Sequence, residues 1–223
     1  MNEYLTYALI VVEAYIIGGV NGALITSKYL YRRDIREYGS GNPGLTNFYR
    51  VFGKAGVLLV VIIDVAKTAG PVFIGWWLAA KFGWSGLTGR TTAGIGVVLG
   101  HCFPLFYKFK GGKAVLALGV LLFTIDWHCS VIGWGTFLVI VAATRYVSLG
   151  AVIGCLGYPA GLLLFRIGRP VDWIVAAVSC GILIARHSAN INRLVHGAEH
   201  KLSLGLRGKT RGKSGVKRGE KQR

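Results

Sequence analysis

The chain carries three clusters of hydroxyl, amide and basic side chains, and each has the make-up of a phosphate site. The middle cluster runs from Tyr107 through Lys108, Phe109, Lys110, Gly111 and Gly112 to Lys113, wedged between two strongly apolar runs and preceded by His101 to Pro104. Adjacent glycines let a backbone approach a ligand closely and visit positive φ, and three lysines add positive potential beside an expected helix start. Lysines that only fix the orientation of a membrane loop would look the same. A nucleotide P-loop does not fit, because it would need Gly at position 107 and Ser or Thr at 114, where this chain has Tyr107 and Ala114.

The first cluster reads Gly39, Ser40, Gly41, Asn42, Pro43, Gly44, then Leu45, Thr46, Asn47, Arg50 and Lys54. Asn42-Pro43-Gly44 is a turn signature. A helix beginning near Gly44 would align Thr46, Asn47, Arg50 and Lys54 on one face that has donors and no carboxylate. Donors converging at a helix N-terminus suit an anionic, hydroxyl-bearing ligand. The third cluster holds Arg186, His187, Asn190, Asn192, Arg193, Gly197 and Glu199. As a helix it would put His187 and Asn190 on one face and align Arg186 with Arg193. His187 titrates near neutrality in water, so it could serve as acid, base or phosphate donor.

The elements that must position these clusters belong to a membrane protein. Of 223 residues, 53% are hydrophobic and 16% charged, with a mean hydropathy of +0.52, far too apolar for a soluble domain of this length. Seven runs approach the ~20 apolar residues that a bilayer core demands. They span roughly 4–27, 56–80, 91–106, 114–126, 130–143, 146–165 and 171–185. The fourth and fifth are short, and Asp126-Trp127-His128 argues for a turn between them. No cleavable signal peptide is expected, since no basic region precedes the first run. Lysine and arginine concentrate between the first two runs, after the third and after the seventh, so the positive-inside rule places the N-terminus outside and all three clusters on the cytosolic face.

The net charge of +17 owes much to residues 201–223, which hold 9 of the 26 Lys and Arg. This basic tail lacks the apolar content for a core and is expected to be disordered, leaving residues 1–200 as the membrane domain. Cys102, Cys129, Cys155 and Cys180 are widely spaced in or beside apolar runs and read as buried hydrophobes rather than metal ligands. Glycines four apart (Gly18/Gly22, Gly96/Gly100, Gly150/Gly154, Gly157/Gly161) fit closely packed membrane helices. Glu13, Asp64 and Lys67 fall at membrane depth, where ionisable groups normally pair. Asp64 and Lys67 are one turn apart and can pair locally, and a Glu13–Lys67 bridge between the first two spans is a second expectation.

Taken together, Gly39-Ser40-Gly41-Asn42 with Gly44 and Thr46-Asn47, Gly100-His101 with Phe103-Pro104 and Phe109 to Lys113, and His187 with Asn190 to Leu194, Gly197 and Glu199 resemble the three signature motifs of the bacterial membrane glycerol-3-phosphate acyltransferases that use acyl phosphate. The resemblance spans residues 1 to about 200. Leu45, the segment Ala114 to Ala117 and Ser188-Ala189 depart from the usual pattern without removing an essential polar group. The resemblance implies an all-α integral membrane protein of seven transmembrane helices in the bacterial inner membrane. It implies transfer of a fatty acyl group from acyl phosphate to the sn-1 hydroxyl of glycerol 3-phosphate, giving lysophosphatidic acid and phosphate.

On that resemblance Ser40, His187, Asn190 and Lys110 are the expected catalytic residues. Gly41, Asn42, Thr46, Asn47, Arg50, Lys54, His101, Gly111, Gly112, Lys113, Arg193 and Glu199 are the expected substrate contacts. Acyl phosphate is already activated, so no metal or other cofactor is expected, and Ser40 is expected to hydrogen-bond rather than attack. Either His187 or a donor phosphate oxygen could take the hydroxyl proton. The expected partners are acyl phosphate, glycerol 3-phosphate and membrane lipids, with no nucleic acid, and the oligomeric state, monomer included, is left open. The glycerolipid acyltransferases that pair His with Asp across four residues are excluded, because no histidine here is followed by Asp at that spacing. An organic-phosphate transporter is the rival reading, although polar clusters confined to one face favour an enzyme.

Overall fold

The computed structural model describes residues 1–202 and is helical throughout, with no strand among the described residues. Its helices are α1 (Glu3–Gly18), α2 (Gly22–Tyr31), α3 (Leu45–Phe52), α4 (Val57–Lys81), α5 (Gly86–Cys102), α6 (Val115–Ile125), α7 (Trp127–Thr144), α8 (Val147–Gly154), α9 (Gly157–Leu164), α10 (Pro170–Arg186) and α11 (Ser188–Val195). The outer surface is apolar: Leu58, Phe73, Phe123, Val139 and Leu164 are all more than 60% exposed, as lipid-facing side chains should be. Four stretches are long and apolar enough to cross a membrane, Glu3–Tyr31, Val57–Lys81, Trp127–Thr144 and Val147–Leu164, and α10 with α11 adds a fifth if the bent pair is one span.

Two of the seven expected spans are broken in the middle. The first stops at Gly18 and restarts at Gly22, where the Asn21 side chain accepts the Leu24 N–H at 2.9 Å and so caps α2. The same carboxamide donates to the Pro43 carbonyl at 3.0 Å, tying the break to the Ser40 loop. The sixth expected span divides into α8 and α9 around Cys155 and Leu156. Between the fourth and fifth, Asp126 ends α6 and caps α7 through the His128 N–H at 2.8 Å.

Backbone contact at glycine holds the bundle together. A Cβ on Gly100 would lie 2.2 Å from the Tyr15 carbonyl oxygen, and one on Gly96 2.7 Å from that of Val11, so α1 and α5 can meet only because both are glycine. Gly154 and Gly157 face Gly133 of α7 in the same way. The four cysteines are buried free thiols. At the bundle end remote from the three clusters, buried Asp172 accepts from Thr91 at 2.7 Å, Thr88 at 3.2 Å and the Arg169 N–H at 2.8 Å, fastening α10 to α5.

The ionisable groups at membrane depth correct one expectation. Lys67 pairs with Asp64 at 2.9 Å, and Asp64 also accepts the Gly22 N–H at 3.1 Å. Lys67 further donates to the Val20 carbonyl and to Nδ1 of His101 at 2.8 Å. Glu13 is not its partner: both Glu13 carboxylate oxygens are buried without a hydrogen bond. The three ammonium donors of Lys67 are already taken by Asp64, by the Val20 carbonyl freed where α1 ends and by His101, which leaves none for Glu13.

Candidate active site

The first wall of the site is the loop before α3. Gly39 (φ 60°) and Gly41 (φ 70°) turn the chain around Ser40. Asn47 fixes that turn, accepting the Ser40 N–H at 2.9 Å and donating to the Tyr38 carbonyl at 3.0 Å. Both ends of its carboxamide are thus occupied by the loop. The helix does begin at Gly44, but it stops at Gly53, whose φ of 73° ends the regular run, so Lys54 falls beyond it, exposed and off the Thr46–Arg50 face.

The second wall is the glycine–lysine loop, and its geometry differs from the expected one. Positive φ falls at Lys108, Phe109 and Ala114, not at Gly111 or Gly112. The two glycines are needed for close packing instead. A Cβ on Gly111 would meet the His101 carbonyl oxygen at 2.1 Å, and one on Gly112 would meet His101 Nε2 at 2.2 Å. Gly112 also donates its N–H to the His101 carbonyl at 3.0 Å. Arg186 then holds the carbonyls of Gly111 at 2.9 Å and Gly112 at 3.1 Å while lying over the Phe103 ring. Arg186 therefore does not align with Arg193, because the chain bends by 60° between α10 and α11.

That bend forms the third wall. His187 sits at the joint, and its Nδ1 lies 2.8 Å from the Leu183 carbonyl. A carbonyl can only accept, so Nδ1 carries the proton and Nε2 keeps its lone pair. Lys113 Nζ donates to Asn190 Oδ1. Asn190 Nδ2 donates to Glu199 Oε1 at 2.6 Å, Ser148 to the same oxygen at 2.8 Å, and Arg193 Nε to Oε2 at 2.7 Å. Burial favours the neutral form of Glu199, yet these three donors outweigh it and hold the carboxyl below its usual range. Burial, reinforced by the charge of Arg193, pushes the Lys113 ammonium down to about 8.

The walls enclose a cavity of about 360 Å³. Ser40, Asn42, Thr46, Asn47, Arg50, His101, Lys113, His187, Asn190, Arg193 and Glu199 contribute to its lining. Asp64, Ser148 and His200 also line it, and most of the remaining lining is apolar, including Leu116, Leu122, Trp134, Phe137, Val147, Ala151 and Leu183. Gly41, Lys110 and Gly111 line a wider outer depression, and Gly112 and Lys54 line neither. Sequence reasoning missed Ser148, which lines the cavity and holds Glu199, and Arg186 as the clamp on the glycine loop. It also missed the buried Lys67–His101 contact beneath that loop. Among the described residues no group of three or more His, Cys, Asp or Glu could hold a metal ion.

The site is a cationic polar mouth leading into a cavity with a broad apolar wall, set at one end of a bundle of apolar helices. The model of the glycerol-3-phosphate acyltransferase family matches residues 8–197, and the chain belongs to that family. It is 35% identical over 204 residues to a glycerol-3-phosphate acyltransferase of Ralstonia pickettii, covering 91% of this chain and 97% of that one. It is 37% identical over 202 residues to another from Finegoldia magna, covering 90% and 98%. The fold is similar to the crystal structure of PlsY, an integral membrane glycerol 3-phosphate acyltransferase, in its glycerol 3-phosphate form. That match has a TM-score of 0.77 and 34% identity over 88% of this chain and 96% of that one.

Proposed function

We propose that this chain transfers the fatty acyl group of an acyl phosphate to the sn-1 hydroxyl of glycerol 3-phosphate, the first step of phospholipid synthesis. The observation that carries this reading is the meeting of Lys113, His187, Asn190 and Arg193 in a cavity that also has a broad apolar wall from Leu116, Leu122, Trp134, Phe137 and Ala151. The donor's chain lies among Trp134, Phe137 and Ala151, and its phosphate among Lys113, Arg193 and Arg50. The carbonyl carbon gains a bond to the glycerol oxygen and loses its bond to phosphate, while the hydroxyl proton passes to His187 Nε2 or to a donor phosphate oxygen. Fixed cations stabilise the charge that develops on the carbonyl and on the departing phosphate. Ser40, placed by Asn47, hydrogen-bonds to substrate and forms no covalent intermediate. Lys113, which reaches Asn190, replaces Lys110 as the central lysine of this reading.

Seven passes, an outside N-terminus and a cytosolic mouth in the bacterial inner membrane complete the proposal, supported by the basic residues gathered around the mouth. Residues 1–200 form the membrane domain. The proposed tail begins at Lys201, which lies over Tyr146, and Leu202, whose N–H reaches the Arg145 carbonyl at 2.7 Å. Its remaining positions, 203–223, lie outside the described residues. The test is purified protein with acyl phosphate and labelled glycerol 3-phosphate, with acyl-CoA as a parallel donor. Labelled lysophosphatidic acid is expected from acyl phosphate, and its absence would sink the proposal.

A further inference from the structure

The wider depression beside the catalytic cavity measures about 1600 Å³, and its outer wall has no part in the proposed reaction. Lys28 and Arg32 come to it from the end of α2, Arg36 from the turn that follows, and Lys108 from the loop before α6. Asp34 and Glu37 are the only acidic residues among the described lining, and Asp34 is held by Arg36 at 2.6 Å. The trough is therefore strongly positive.

Its border is apolar. Tyr29 is 78% exposed, Leu105 57%, Phe106 61% and Phe109 55%. Phe106 lies beside Gly19, at the break in the first span, so these side chains mark the boundary between the apolar bundle and its polar end. A free phosphate would need only the cations. Cations bordered by large exposed apolar side chains at a membrane surface match a phosphate that carries acyl chains.

We propose that this trough docks the phosphate headgroup of an anionic membrane phospholipid on Lys28, Arg32 and Lys108, its acyl chains leaving past the exposed Phe106 and Tyr29. The bound lipid neutralises the outer cations and leaves Lys113 and Arg193 to the substrates. The site rests on the membrane setting and the trough, not on the acyl-transfer reading, so the two can fail separately.

The experiment is native mass spectrometry of the full chain in mixed micelles holding equal amounts of phosphatidylglycerol and phosphatidylcholine. Wild type is expected to retain phosphatidylglycerol in preference to phosphatidylcholine. The triple variant Lys28→Gln, Arg32→Gln, Lys108→Gln is expected to lower that retention on the order of 100-fold, with acyl transfer in neutral vesicles unchanged. If the triple variant does not fold, the single Lys108→Gln change in the exposed loop decides by the same measurement, with a several-fold loss expected. Equal retention of both lipids by wild type, wild-type preference in the variant, or displacement of the lipid by equimolar inorganic phosphate or an acidic peptide would overturn the proposal.

Discussion

The side-chain oxygen of Asn47 accepts the Ser40 N–H at 2.9 Å, so one buried carboxamide on α3 sets the position of the loop that opens the site. Asn47 is 2% exposed and holds Tyr38 with its other end. Asn47→Ala removes both bonds, and Gly39→Ala would place a Cβ 2.3 Å from the Asn47 oxygen at a φ of 60°. Both changes should lower kcat by roughly 10- to 100-fold through misplacement of Ser40, with a smaller effect on KM. Steady-state rates on folded, monodisperse protein check this, and a wild-type kcat in Asn47→Ala would refute it.

Removing charge at membrane depth should separate Lys67 from Glu13. Lys67→Met leaves Asp64 buried and unpaired and the Val20 carbonyl without its donor, a loss of about 3–5 kcal/mol for a broken buried pair. Glu13 has no partner to lose, so Glu13→Gln should leave the melting temperature in detergent unchanged or slightly raised. Tryptophan fluorescence on heating measures both. Equal melting temperatures for Lys67→Met and wild type would defeat this account.

The sequence showed the helices and the three clusters clearly because each cluster interrupts a long apolar run, and nothing subtler than composition is needed to see that. It concealed what tertiary contact decides. The apolar runs on either side of residues 19–21 and across 155–156 read as continuous spans, yet the helices break there, the first break being capped by Asn21 and held by Asp64 and Lys67 from α4. Three lysines within six residues cannot be ranked by type, and the left-handed backbone at Lys108, Phe109 and Ala114 decides that Lys113 faces the cavity while Lys110 lines only the outer trough. Periodicity likewise aligned Arg186 with Arg193, and a single bend separates them. Ser148 is one hydroxyl in an apolar stretch and carries no signal until Glu199 folds against it.

Lys113 should give the reaction an alkaline limit. Its ammonium, held down to about 8 by burial, is mostly protonated at neutral pH and loses its charge as pH rises through that value. A bound phosphate favours the charged form, so the effect belongs to the free enzyme and appears in KM for acyl phosphate, whose phosphate Lys113 holds, rather than in kcat. KM should therefore rise about tenfold for each unit of pH above roughly 8. Lys113→Arg, whose guanidinium does not titrate in that range, should remove the rise. An identical KM profile in Lys113→Arg and wild type would assign the limit to another group.

Ala151 should set how long an acyl chain the cavity accepts. It lies on α8 and lines the apolar wall with Trp134, whose indole N–H donates to the Gly119 carbonyl at 3.0 Å and fixes the opposite side. Ala151 is only 4% exposed, and a benzyl group there must project into the space assigned to the donor chain. With the wall fixed, the chain cannot be accommodated by a small shift. Ala151→Phe should therefore lower kcat/KM for long acyl phosphates and spare short ones. Each methylene left outside the cavity forfeits about 0.8 kcal/mol, roughly a fourfold loss per carbon. The polar mouth is untouched by this change, so KM for glycerol 3-phosphate should stay at its wild-type value with a short donor. A uniform loss across all chain lengths would place the acyl chain elsewhere, because only a chain that occupies this cavity senses its depth.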